Sequence, residues 1–245
     1  QRFRILLVED NPGDAFLVRT LLEETGEPFD IEHRSDLASA MEVLNGDGPD
    51  AQFDVVLLDL TLPDSSGVTT ISRVRSCANT APVVVLTGHK DEELAFEALQ
   101  HGAEDYLTKE FPDGRTIRRS IRYAIERSRA ERALKESEER YRQMFECNQV
   151  AQILINPKTY KIVEANHAAA EYFGYDLYEL AKIPLDTLSI DPAENFHNDL
   201  SAVLRNGRSV FYFSHLHEAG MIVDAEFHAS SIVIHGKTQI FAIIQ

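Results

Sequence analysis

The stretch Asp54-Val-Val-Leu-Leu-Asp59-Leu-Thr-Leu-Pro63-Asp-Ser-Ser-Gly67 constrains the fold more than any other part of the chain. Val55 to Leu58 is an apolar run without polar alternation, the pattern of a strand buried on both faces in a parallel sheet covered by helices. The run ends on a lone carboxylate, Asp59, and breaks into a Pro/Gly turn. A carboxylate at that point contributes little to stability. Ligands of open α/β sheets, however, bind in the crevice beyond the carboxyl ends of the strands, so Asp59 is placed for chemistry.

The segments around it repeat one pattern. Phe3 to Val8 reads as a strand, and Asn11 or Asp14 is available to cap a helix from Ala15 to Glu24. Ile31 to Arg34 is a short strand, followed by a helix from Leu37 to Asn45 that Asp36 caps. After the strand ending at Asp59 come a helix Val68 to Cys77, a strand Pro82 to Thr87, a helix Asp91 to Gly102 and a strand Glu104 to Lys109. This (βα)5 alternation predicts a doubly wound parallel sheet with right-handed crossovers.

From Gly114 to about Glu146 the chain runs some thirty residues without Pro or Gly, which predicts a helix of roughly 45 to 50 Å. Ile117, Ile121, Ala124 and Ser128 follow one seam, and Leu134, Ser137, Tyr141 and Met144 a second, so pairing with a copy of itself is expected over a merely solvated helix. Beyond Asn148 the pattern becomes α+β. Strands are expected at Ala151 to Ile155, Lys161 to Val163, Ser209 to His217, Met221 to Ile234 and Lys237 to Ile244. Helices are expected at His167 to Phe173, Leu177 to Leu180 and Asn195 to Asn206.

Charge follows the same division. The 40 acids and 24 basic residues separate into 22 against 8 over residues 1–112, 6 against 10 over 113–145, and 12 against 6 over 146–245. Two acidic regions flank a basic connector, which argues against nucleic-acid binding by phosphate neutralisation. The two cysteines, Cys77 and Cys147, have no metal-type spacing and read as reduced bystanders. With no membrane-length apolar stretch and no signal peptide at the N-terminus, the expectation is a cytoplasmic protein without membrane contact.

In the expected sheet Glu9 and Asp10 close the first strand, Asp59 the third and Thr87 the fourth, and Lys109 follows the fifth. Singly, each has an ordinary reading: Asp10 a helix cap, Thr87 a β-branched strand end, Lys109 a surface charge. Together they reach one edge. Three carboxylates there repel by roughly 1 kcal/mol per pair in water and by several times that at lower effective dielectric. A hard divalent cation with oxygen ligands, Mg²⁺ or Mn²⁺, relieves this. A lysine and a hydroxyl opposite Asp59 then complete the set that makes and holds an aspartyl phosphate.

The blocks Val8-Glu9-Asp10-Asn11-Pro12, Val55 to Gly67, Val85-Leu-Thr87-Gly88 and Gly102 to Lys109 together resemble the receiver domain of two-component response regulators. The resemblance implies a flavodoxin-like fold over residues 1–112. Asp59 is then the phosphoacceptor, and Glu9, Asp10, Asp59 and the main-chain carbonyl of Thr61 hold Mg²⁺. Thr87 and Lys109 contact the phosphoryl group, and Tyr106 is the switch aromatic. It also implies a histidine kinase or phosphotransfer protein as partner, and no enzyme activity beyond self-phosphorylation from small phosphodonors and slow autodephosphorylation. Such receivers usually carry proline after the lysine, often through a cis bond; here Glu110 follows Lys109, which leaves that loop open.

Residues 113–146 then contain the last receiver helix and a helical linker. Residues 147–245, with Asn166-His-Ala-Ala-Ala and Phe173-Gly-Tyr175 through Glu179-Leu180, resemble a PAS domain. The chain stops where that family's last strand runs on into an effector, so the output is expected beyond Gln245. The flavin-type cysteine motif is absent. His197 is a weak haem candidate, and His215, His217 and His228 a weak metal set. An acidic fourth helix (Asp91, Glu92, Glu93, Glu97) and a basic fifth (Arg115, Arg118, Arg119, Arg122) suggest a homodimer through these helices and the linker. A PAS-based ligand sensor in which the receiver is a modulator or scaffold is the alternative reading.

Overall fold

The computed structural model describes residues 2–46, 48, 51–77, 81–88, 92–109 and 113–245. By internal contacts the chain divides into two compact units, Gln1–Lys135 and Glu136–Gln245.

In the first unit, strands β1 (Phe3–Val8), β2 (Phe29–Arg34) and β3 (Val55–Asp59) are followed by a short hairpin of β4 (Thr61–Leu62) and β5 (Ser65–Ser66). Then come β6 (Val83–Thr87) and β7 (Asp105–Thr108). The parallel sheet has the order β2-β1-β3-β6-β7. Helices α1 (Pro12–Glu23), α2 (Leu37–Leu44), α3 (Thr69–Ser76), α4 (Glu92–Gln100) and α5 (Gly114–Glu146) alternate with the strands. Successive side chains of a strand point to opposite faces, so an unbroken apolar run feeds two cores. Leu6, Val8, Val56, Leu58, Val83 and Val85 meet α2, α3 and α4 on one face. Ile5, Leu7, Val55, Leu57, Val84 and Leu86 meet α1 and α5 on the other. The strand order reverses between β1 and β3, which makes their carboxyl ends the topological switch point.

Helix α1 starts at Pro12, earlier than the sequence reading, because Asn11 is the N-cap and its side chain accepts from the Gly13 amide at 2.9 Å. The first expected pairing seam has a different role. Ile117, Ile121 and Ala124 are buried in the core of the first unit, so α5 opens as a core helix rather than a pairing helix. Its first residue must be small, since a Cβ on Gly114 would lie 2.0 Å from the Leu21 carbonyl oxygen. The second seam is exposed, with Leu134, Tyr141 and Met144 at 61%, 56% and 70%.

The second unit carries β8 (Ala151–Ile155), β9 (Ile162–Ala165), β10 (Arg208–Leu216), β11 (Ile222–Ile234) and β12 (Lys237–Ile244). They form an antiparallel sheet in the order β10-β11-β12-β8-β9. Helices α6 (His167–Phe173), α7 (Leu177–Leu180), α8 (Leu185–Leu188) and α9 (Ala193–Asn206) complete it. Helix α9 buries Phe196, Leu200 and Val203, spaced four and three residues apart, against Phe211, Phe213 and Phe227 of the sheet. Burial of each such side chain stabilises by roughly 1.5 to 3 kcal/mol. At the start of α6 the wholly buried Asn166 serves as N-cap. Helix α8, the β4–β5 hairpin and the early start of β2 are additions to the elements read from the sequence.

Candidate functional site

The carboxyl ends of β1, β3, β6 and β7 bring together the residues that the sequence singles out. Among the described residues, Glu9, Asp10 and Asp59 are the one set of three potential metal ligands, with ligand atoms all within 4.8 Å of one another. Glu9 and Asp59 are buried and Asp10 is exposed. Lys109 reaches in from the end of β7, its Nζ lying 2.9 Å from Glu9 Oε1 and 2.7 Å from Asp59 Oδ2. It also lies 3.1 Å from Asp14 Oδ2.

Backbone contacts hold this arrangement. The Glu9 amide donates to Arg34 O at 2.9 Å, and the Glu9 carbonyl oxygen lies 2.7 Å from His33 Nε2. The Lys109 amide donates to Thr87 O at 2.7 Å. Thr87 is buried at the end of β6, and Tyr106 is 39% exposed on β7. The Thr61 amide donates to Asp59 Oδ1 at 3.0 Å, which places the Thr61 backbone directly beside the acid. The turn beyond it is tied down at two points. The Gly67 amide closes on Leu60 O, and Asp64 accepts from the Leu37 and Ala38 amides at the start of α2, at 2.9 and 2.8 Å.

The electrostatics show an unbalanced site. Burial raises the Glu9 pKa to about 7, helped by the charge on Asp59 and opposed by the Lys109 hydrogen bond. For Lys109 burial acts downward, but the hydrogen bonds to Asp59 and Glu9 outweigh it and hold the ammonium above its ordinary value. Even so, Glu9 Oε2 is buried with no partner. Buried carboxylate oxygens require a cation or donors. An all-oxygen cluster of two buried acids and one open acid fits a hard divalent cation that keeps water ligands.

Three participants escape the sequence reading. Asp14 lies in the first turn of α1, whose start follows the end of β1; with Asn11 as the cap, its carboxylate is available to Lys109. Asp64 and His33 carry no local signal, because their partners come from distant segments. The Lys109–Glu110 bond lies outside the described residues, as does Asp91.

Among the described residues, the histidines of the second unit do not form a metal cluster. Alternation along β10 and β11 sends His215 into the core and His228 to the exposed face, and His217 Nδ1 accepts from the Ala219 amide. The haem candidate His197 has Nε2 2.9 Å from Asp186 Oδ2 and its ring stacked on Tyr160 at 4.0 Å, so that nitrogen is committed to a carboxylate. Among the described residues no helix is long and apolar enough to cross a membrane.

Comparison with known proteins matches two families along the chain. Residues 5–122 match the response regulator receiver domain model and residues 139–207 a PAS domain model. The chain is similar to the cell cycle transcriptional regulator CtrA of Caulobacter vibrioides, 31% identical over 126 residues, which cover 51% of this chain and 52% of that protein. It is similar also to the phosphate regulon transcriptional regulatory protein PhoB of Escherichia coli, 39% identical over 111 residues, covering 44% and 45%. The chain thus spans about half the length of these relatives. Among solved structures, the receiver domain of the sensor histidine kinase PA1611 from Pseudomonas aeruginosa holds a magnesium ion in its active site cleft. It is 26% identical with a TM-score of 0.44, covering 51% of this chain and 98% of that one.

Proposed function

From a receiver domain over residues 5–122 followed by a PAS domain over 139–207, we propose that this chain accepts a phosphoryl group on Asp59 and passes the change along α5 to the PAS domain. The donor is a histidine kinase or a phosphotransfer protein, the usual partners of receiver domains. The observation that carries the reading is Lys109 bridging Glu9 and Asp59 at the switch point while Glu9 Oε2 has no partner.

In the transfer, a carboxylate oxygen of Asp59 attacks the phosphorus of a phosphohistidine. The P–O bond forms as the P–N bond breaks, and the imidazole leaves with the bonding pair and takes up a proton from solvent. Lys109 supplies a positive charge next to the acceptor oxygen, and the Thr87 hydroxyl, at the end of the neighbouring strand, donates to the phosphoryl group. Glu9, Asp10 and Asp59, with the Thr61 carbonyl, are the groups that would hold Mg²⁺ or Mn²⁺, and the bound cation supplies charge that offsets the crowded oxygens. Tyr106, half exposed, is the aromatic that follows Thr87 when the added charge draws it inward. Asp59 is a stoichiometric acceptor on this reading, with slow self-dephosphorylation and no turnover of substrate.

A symmetric dimer belongs to the proposal, formed by the fourth and fifth helices and the linker. Arg115, Arg118, Arg119 and Arg122 line one groove with Tyr123 and Glu126, and Leu134, Tyr141 and Met144 of the second seam are exposed. Of the acidic residues assigned to the fourth helix, Asp91 and the side chains of Glu92 and Glu93 lie outside what the structure describes.

Incubation with acetyl phosphate and Mg²⁺ followed by intact mass tests the central claim. Wild type is expected to gain one phosphoryl group and Asp59→Asn none; an unchanged wild-type mass ends the reading. Solution mass with and without a phosphate mimic tests the dimer. A ligand-sensing PAS domain is the second reading, and one observation favours it. The Tyr172 hydroxyl and both ring nitrogens of His215 are buried without partners, and the two rings are 5.3 Å apart in the PAS core. Native mass spectrometry that finds only bare chain counts against it.

A further inference from the structure

Three carboxylates surround the Lys109 ammonium: Asp59 at 2.7 Å and Glu9 at 2.9 Å accept its hydrogen bonds, and Asp14 forms an ion pair with it at 3.1 Å. Two of these acceptors belong to the Glu9, Asp10 and Asp59 set that fits a divalent cation, and Asp14 does not. Oxygens committed to a cation cannot also hold an ammonium at full strength, so Lys109 and a cation compete for Glu9 and Asp59. Among the described residues, Asp14 is the partner that stays with the lysine when the other two turn away. Its place in the fold suits this. It sits in the first turn of α1, which begins two residues after Asp10, and the helix end is already capped by Asn11. Its side chain is 33% exposed, whereas that of Glu9 is wholly buried.

We infer that Asp14 is a positioning residue for Lys109: it keeps the ammonium beside Asp59 while Glu9 and Asp59 serve a cation. This rests on the phosphoacceptor reading above. Without Asp14 the lysine is shared by Glu9 and Asp59 alone, and it competes harder for the oxygens that bind the cation. Once displaced, its flexible four-carbon stem has no other anchor near the acceptor among the described residues. Both effects act through Lys109.

The test is a double-mutant cycle on the full chain. Calorimetric titration with Mg²⁺ is carried out on wild type, Asp14→Asn, Lys109→Met and the double variant. A partly exposed ion pair changes an equilibrium by up to about fivefold, so Asp14→Asn is expected to weaken Mg²⁺ binding about threefold in the wild-type background and not at all with Lys109→Met. Simple loss of negative charge near the cation weakens binding equally in both backgrounds, and that result overturns the inference. The acetyl phosphate reaction, followed by intact mass at saturating Mg²⁺, is expected to slow by a similar factor in Asp14→Asn. If wild type gains the phosphoryl group and Asp14→Asn matches it in rate and in Mg²⁺ affinity, this inference falls and the phosphoacceptor reading stands. If wild type gains none, both fall. Asp14→Ser provides a second variant if Asp14→Asn does not fold, and a loss of stability without a Lys109-dependent change in Mg²⁺ binding also refutes the assignment.

Discussion

Replacing Asn166 with alanine removes the side chain that joins the end of α5 to the PAS sheet. Its Oδ1 accepts from the Gln152 and Ala169 amides at 2.9 and 3.0 Å. Its Nδ2 donates to the carbonyls of Phe145, Val150 and Asn148 at 3.1, 2.9 and 3.4 Å. The side chain is fully buried, so water cannot replace these bonds without opening the structure. Loss of the helix cap costs about 1 kcal/mol. The Gln152 amide and the Phe145 and Val150 carbonyls are then left unpaired, at about 1 to 3 kcal/mol for each that stays dry. A total near 4 kcal/mol is at the high end for one substitution and a large share of a domain's stability. Asn166→Asp is the sharper probe. It keeps both acceptor functions but turns the donor into a carboxylate oxygen facing three carbonyls, so it should be no gentler than alanine. Tyrosine fluorescence during urea unfolding reads this unit: Tyr141, Tyr160, Tyr172, Tyr175, Tyr178 and Tyr212 lie within it, only Tyr106 and Tyr123 lie outside, and the chain has no tryptophan. With a urea slope of about 2 kcal/mol/M, the midpoint should fall by about 2 M. An Asn166→Asp protein as stable as wild type would refute the reasoning, because the donor bonds would then contribute nothing.

Asp64→Ala removes two amide acceptors from the start of α2 and should lower the stability of the receiver unit by about 1 to 2 kcal/mol, while slowing phosphoryl acceptance from acetyl phosphate severalfold. Unchanged melting and an unchanged rate would show that the turn beyond Asp59 does not depend on this anchor. Stability of the PAS unit should also depend on pH through His215. Burial, reinforced by His217 and opposed by Asp224, pushes its pKa down from 6.5 to about 4. The unfolded chain therefore takes up the proton first as pH falls. The group contributes no pH dependence above 6.5, and stability is lost between 6.5 and about 4, by roughly 3 kcal/mol in all. His215→Phe should flatten that slope in urea unfolding repeated across this range; an unaltered slope would place the titrating group elsewhere.

What the sequence determined by itself is what acts over short range. The unbroken run Val55 to Leu58 and its counterparts in β1 and β6 specify a strand covered on both faces, and residues at the ends of such strands must share one edge. The five residues Glu9, Asp10, Asp59, Thr87 and Lys109 were legible for that reason. Helix starts such as Asp36 were legible too, since a cap reaches only three residues ahead. The tertiary structure alone decided which of two similar seams on α5 is core and which is exposed, because burial depends on what the sheet places opposite each face. It also separated His215 from His228, which the register of β10 against β11 sends to opposite sides. The ties that shape the site, from Lys109 to Glu9 across 100 residues and from Asp64 to Leu37 across 27, exist only once the strand order has closed the loops between them. A local pattern cannot encode a partner whose distance is set by topology, and that is why Asp14 reads as a candidate helix cap until Lys109 arrives beside it.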